Sequence, residues 1–193
     1  YISNKQQKEK YIQLLQNILI KEKIDIKVCN GTEVYSNINM LSLIKDGTIA
    51  TLNNSRYVLI ELPMNQNNIF FKQMIYDLVS MGYIPIIAHP ERYIYVQNNP
   101  NIVFDWLEQG SLLQANYGSF IGMYGRKAQK TVIKLLKHNT IHFLGTDCHR
   151  AESIYLKINL IREKIEKEVG KEGFYNISYR NPRHIIENKI LKI

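Results

Sequence analysis

The stretch GYIPIIAHPERY, Gly82 to Tyr93, decides the fold class. Ile84, Ile86, Ile87 and Ala88 make a nearly unbroken apolar run that stops on His89 and Pro90. A strand with one face in water alternates apolar and polar side chains; a strand covered on both faces need not. The run therefore reads as a buried strand. The segment before it, NIFFKQMIYDLVSMG, sets Phe71, Met74, Ile75 and Leu78 on one helical face, with Gly82 as a C-terminal cap. The segment after it, NNPNIVFDWLEQG, reads as a second helix, with Pro100 near its first turn and Gly110 past its end.

The same rhythm runs outward in both directions. KYIQLLQNILIKEK places Tyr11, Leu14, Leu15 and Ile18 at helical spacing. IDIKVCNGTEVY alternates Ile24, Ile26 and Val28 and reads as a strand, and RYVLIELP is another, closed by Pro63. SLLQANYGSF is a strand, GRKAQKTVIKLLKHN a helix ending at His138 and Asn139, and IHFLGTDCHR a further strand. Ile154, Ile158, Ile161 and Ile165 mark a long amphipathic helix, and NPRHIIENKIL a short one with Asn181 as N-cap and Pro182 at its first position. Strands alternating with helices predict an α/β fold, a parallel sheet covered by helices, as one domain over residues 1–193. A barrel and an open doubly wound sheet both satisfy this rhythm.

Composition narrows the function classes. At 45% hydrophobic residues, 193 residues can bury a sizeable core. No run of 18 apolar residues occurs, so no membrane-spanning helix is expected. The net charge of +8 is scattered, with acidic neighbours as in REKIEKEVGKEG. That pattern describes solvated helix faces rather than a nucleic-acid stripe, and it tolerates an anionic substrate. Cys29 and Cys148 are the only cysteines, which points away from a disulfide-built fold and toward the cytoplasm.

The chemistry gathers where apolar runs end. Glu33 follows IDIKVCNGT, Glu61 follows RYVLI, His89 follows YIPIIA, and Asp147 and His149 follow IHFLGT. Glu33, Glu61 and His89 recur at about one βα unit, roughly 30 residues, which returns the chain to the same end of a parallel sheet. Taken singly, each has an ordinary explanation. Glu61 could be tied to a lysine or a backbone amide, His89 could sit satisfied in the core, and Asp147 could cap a helix. Together, carboxylates crowded at one buried site are costly unless cations neutralise them. A donor set of carboxylates and imidazoles with no required thiolate suits Mn²⁺, Fe or Zn²⁺ in a catalytic site. His138, His142 and His184 are assigned no part in it. Neither cysteine has an arginine at the spacing of a cysteine phosphatase loop, and no G-x-S-x-G elbow or phosphate-binding glycine loop occurs. Metal-activated water is the chemistry that remains.

GTEVY, RYVLIELP, GYIPIIAHPERY, SLLQANYGSFIG and FLGTDCHR resemble the PHP (polymerase and histidinol phosphatase) family. More narrowly, they resemble its bacterial tyrosine-protein phosphatase branch, associated with capsule and exopolysaccharide synthesis. The resemblance implies a distorted TIM-like (β/α)7 barrel with up to three divalent ions, manganese first, iron or zinc as alternatives. It implies Glu33 bridging two ions, Glu61 and His89 completing one, Asp147 on a second and His149 on the third. Arg92 resembles the family's phosphate-binding arginine, and Arg150 is a further candidate for binding the anion. For Arg92 alone, a surface salt bridge explains the sequence as well. The family's opening Asp-x-His-x-His strand does not occur before Glu33, so the expectation is a barrel lacking its first βα units. The implied reaction is attack of metal-activated water on phosphotyrosine, in a partner such as a bacterial tyrosine kinase. A small phosphomonoester of the histidinol phosphate type, or a non-catalytic remnant prone to associate, are the alternatives.

Overall fold

The computed structural model describes residues 5–67, 69–149 and 154–191. The chain runs α1 (Lys5–Lys21), β1 (Glu33–Tyr35), α2 (Met40–Lys45), β2 (Tyr57–Glu61), α3 (Ile69–Ser80) and β3 (Ile84–Ala88). It continues through α4 (Ile94–Asn98), α5 (Ile102–Glu108), β4 (Leu112–Asn116), α6 (Arg126–Lys137), β5 (Phe143–Gly145), α7 (Ile158–Tyr175) and α8 (Asn181–Ile186). All pairings are parallel, and the spatial order β1-β2-β3-β4-β5 is the sequence order.

That order chooses between the two architectures the rhythm left open. A doubly wound sheet reverses its strand order at a switch point. Here each strand lies beside the one before it, and right-handed crossovers then put every connecting helix on one face. This is the winding of a TIM-like barrel. Val58, Ile60, Ile87, Leu113 and Ala115 join Phe71, Met74, Ile75, Trp106 and Leu135 in one large core on the helix side. Each fully buried aliphatic side chain there contributes about 1.5–3 kcal/mol. Tyr57, Leu59, Ile86, Ala88, Leu112 and Phe143 form a second, smaller cluster on the opposite face. Ile185 and Leu191 cover it, and the Tyr57 hydroxyl ties the C-terminal segment down, donating to Lys189 O at 2.7 Å and accepting from Leu191 N at 3.0 Å. Pro85 is tolerated within β3 because the ladder to β4 begins only at Ile86.

Three expectations need correction. Ile24 to Val28 is not a strand; Ile24 and Ile26 are exposed, and β1 covers only Glu33–Tyr35. Alternation makes a strand only where a neighbour supplies a ladder. Instead, the Gln16 side chain donates to Ile26 O and accepts from Val28 N. Asn181 does not cap α8, because a π-turn, Asn176–Arg180, runs straight into that helix. Its amide donates to His142 O at 2.9 Å. Ile154 lies ahead of the long helix rather than on it; α7 starts at Ile158 and is interrupted at Gly170, whose φ of 74° lies outside helical geometry.

Candidate metal centre

The triad forms where β1, β2 and β3 lie side by side. Glu33 sits beside Leu59, two residues before Glu61, and Tyr35 sits beside Glu61 itself, so both carboxylates share a face of the pleated sheet. Glu33 opens its strand rather than following it, and the register carries it to the right place all the same. His89 comes one residue after β3 ends. Its Nε2 lies 3.0 Å from a Glu33 carboxylate oxygen and 3.8 Å from one of Glu61. The imidazole is 98% buried, whereas the carboxylates are about one-third exposed, at 32% and 30%.

The geometry around His89 is strongly constrained. Its φ is +34°, in the left-handed region, and it precedes a proline. Such a conformation costs on the order of 1–3 kcal/mol and survives only when its surroundings impose it. They do so here. The buried Tyr93 hydroxyl donates to Ala88 O at 2.7 Å and accepts from Leu62 N at 2.9 Å. One hydroxyl thus joins the residue before His89 to the residue after Glu61. The Tyr93 ring meets the His89 ring edge to face at 5.7 Å and packs on Tyr95 and Trp106.

A second cluster gathers beyond β4 and β5. Arg92 Nη1 donates to Asp147 Oδ2 at 2.6 Å, and the side chains are only 24% and 14% exposed, so this is not a surface salt bridge. Asn116 Nδ2 donates to the same oxygen at 3.1 Å, while His149 Nε2 lies 3.0 Å from Asp147 Oδ1. The Arg92 guanidinium lies over the Tyr124 ring at 4.4 Å. Asp147, like His89, has a left-handed backbone, with φ of +49°. Cys148, the next residue, packs against the large core. Gly145 lets β5 pass the Gln114 side chain, since a Cβ there would stand 2.7 Å from its amide nitrogen. Arg150 lies outside the described residues.

Glu91, Asn116 and Tyr124 are residues that sequence reasoning missed. Glu91 is fully buried; its Oε1 accepts from Asn116 N at 3.0 Å and Ser119 Oγ at 2.5 Å. Burial pushes its carboxyl above the usual range, against the pull of those donors. Asn116 carried a signal of the kind used for the other strands, a polar residue closing the apolar run LLQAN.

Among the described residues, Glu33, Glu61 and His89 are the group able to hold a metal, with their ligand atoms all within 4.8 Å of one another. Ligand distances of about 2.0–2.2 Å put neighbouring donors roughly 3–3.5 Å apart, so a small inward adjustment closes the set on one ion. Two carboxylate oxygens and an imidazole nitrogen match Mn²⁺, Fe²⁺ or Zn²⁺. The triad therefore fits a divalent cation. His89 Nδ1 is buried with no hydrogen-bond partner, so the ring is oriented by Tyr93 packing rather than by the acceptor a ligating histidine usually has.

The family described as capsular polysaccharide synthesis, CpsB/CapC, matches residues 2–187. The chain is 30% identical over 177 residues to the tyrosine-protein phosphatase YwqE of Bacillus subtilis, covering 92% of this chain and 69% of YwqE. It is 36% identical over 142 residues to CapC of Staphylococcus aureus, covering 74% of this chain and 55% of CapC. A solved structure from work on YwqE and on CpsB of Streptococcus pneumoniae, described as metal-dependent tyrosine phosphatases, superposes with a TM-score of 0.87 at 30% identity. It covers 94% of this chain and 73% of the solved one.

Proposed function

The chain belongs to the CpsB/CapC family of capsular polysaccharide synthesis, and from that membership we propose that it is a metal-dependent tyrosine-protein phosphatase. The observation that carries the reading is the meeting of His89, Glu33 and Glu61 at one end of the sheet, with Arg92 three residues from His89. A divalent ion in the triad supplies Lewis acidity, which makes a water molecule ionisable near neutral pH. Manganese is the first choice, with iron or zinc as alternatives.

The chain's own residues have distinct tasks in this reading. Glu33, Glu61 and His89 would hold one ion, Asp147 a second and His149 a third. Arg92 binds the phosphoryl oxygens. A planar guanidinium can take two of them at once and offset their growing charge as the reaction proceeds. In the structure it rests on Asp147, an anion that occupies it until substrate arrives. Arg150 is the second candidate for contact with the anion. Water forms the new bond to phosphorus as the tyrosine oxygen leaves, giving tyrosine and inorganic phosphate. The partner is a phosphotyrosine protein, a tyrosine kinase of the capsule or exopolysaccharide system. The compartment in this reading is the cytoplasm, from the low cysteine content of the sequence, Cys29 and Cys148 alone. Among the described residues, no helix is long and apolar enough to cross a membrane.

The test pairs metal analysis with hydrolysis of a phosphotyrosine peptide and of histidinol phosphate. The expected result is metal-dependent turnover of the peptide, lost in Glu33→Gln and in His89→Ala. Undiminished hydrolysis in both variants overturns the assignment. Preference for histidinol phosphate overturns the substrate class alone.

A further inference from the structure

We propose that Asn116 is a positioning residue for Asp147, the neutral donor that keeps this carboxylate in place when Arg92 turns to the phosphoryl group; the inference rests on the phosphatase reading above. Asn116 closes β4 and is completely buried. Burying an amide is costly unless it is bonded, and this one is only partly repaid. Its backbone N–H donates to Glu91, its Nδ2 donates to Asp147, and its Oδ1 has no hydrogen-bond partner. A buried amide retained at the cost of an orphaned oxygen suggests that its N–H₂ group is what matters.

The two donors on Asp147 Oδ2 differ in kind. Arg92 is charged, long and about one-quarter exposed, and its guanidinium rests on the face of Tyr124. It is free to swing toward an incoming dianion. Asn116 is neutral, short and fully buried, and β4 pairs it with Gly145, two residues before Asp147. It cannot leave with the substrate. A phosphoryl group competes for the arginine and hardly at all for a buried amide. When Arg92 is drawn away, Asp147 keeps one fixed hydrogen bond on Oδ2, and Oδ1 continues to face His149. Without that bond, nothing neutral on β4 opposes rotation of a carboxylate whose backbone already sits in a left-handed conformation.

The experiment uses the full chain with Asn116→Leu and Asn116→Asp. Both variants keep the backbone N–H to Glu91, and the second also keeps the shape. Readouts are kcat and KM on a phosphotyrosine peptide from pH 5 to 8, Mn²⁺ affinity by calorimetry, and thermal unfolding as a folding control. The expected result is a kcat lowered by about 10- to 100-fold in both variants, the range for partners that orient metal-site ligands, with KM little changed. In both variants the loss falls on kcat per folded molecule, whereas a purely structural role lowers the folded fraction and the unfolding temperature and leaves the turnover of folded molecules unchanged. Wild-type kcat in folded Asn116→Leu, or a rise in KM as large as the fall in kcat, overturns the proposal while leaving the phosphatase reading intact. If wild-type protein neither binds Mn²⁺ nor hydrolyses the peptide, the phosphatase reading falls and takes the proposal with it.

Discussion

The two halves of the candidate centre are held together by different forces. Glu33, Glu61 and His89 are placed by backbone: three adjacent parallel strands and one buried hydroxyl set their positions. Arg92, Asp147 and His149 are placed largely by side-chain charge, with Asp147 two residues beyond the end of its strand. A backbone-built half keeps its shape with or without a cation. A charge-built half rearranges whenever a new ion or anion competes for its members. Fixed ligands beside adaptable ones suit a reaction in which the substrate's own charge changes.

Removing a triad ligand is expected to have the largest effect. His89→Ala should lower turnover by more than about 100-fold, beyond the range for partners that only orient ligands, and should remove bound metal. Metal analysis and peptide hydrolysis check both. If Asp147→Asn causes the greater loss of bound metal, the comparison is reversed, and the charge-built half is the primary ion site.

Tyr93→Phe tests the backbone-built half without touching a ligand. It leaves Leu62 N and Ala88 O without their buried partner. The expected cost is about 2–4 kcal/mol in denaturant unfolding, with weakened metal binding. A change under about 0.5 kcal/mol would mean that strand pairing alone fixes the triad.

Acid probes the strand that leads into the charge-built half. His142, just before β5, is buried, and its Nδ1 accepts from Leu113 N at 3.2 Å. Burial lowers its pKa from 6.5 to about 4. The sign follows: between those values the unfolded chain binds the proton and the folded chain does not, so stability is intact above pH 6.5 and falls as pH drops toward 4. The loss reaches about 3 kcal/mol by pH 4. Unfolding curves for wild type and His142→Gln at pH 7 and pH 4.5 should differ in slope with pH, the variant being flatter. Equal slopes refute the assignment. Arg92→Lys should have the smallest effect on folding and about a 10-fold effect on kcat/KM, because an ammonium keeps the charge and loses the planar fork.

Legibility in the sequence followed the same division. Largely apolar stretches showed the five-residue strands β2, β3 and β4, because strands buried on both faces have few polar interruptions. Glu61 and His89 could be read because each adjoins such a run, whereas Glu33 opens a short strand and reaches the triad through its register with β2. β1 was placed too early, since Ile24 and Ile26 alternate like a strand but have no ladder neighbour among the described residues. The Asp147 to Arg92 pair could not be read, as those residues lie 55 apart and meet only through a left-handed turn. Asn116 is marked in the sequence only by closing the run LLQAN, and nothing marks the burial of Glu91, a carboxyl between His89 and Arg92.

By itself the sequence determined the α/β class, the parallel strands, and which residues could reach one end of the sheet. Hydrophobic periodicity is a local property, and burial enforces it residue by residue. Only the tertiary structure decided the sequential strand order, the register that carries Glu33 to Glu61, and the ion pair that holds Arg92 on Asp147. Those depend on distant segments meeting, through electrostatic and hydrogen-bond energies that exist only once the strands are packed.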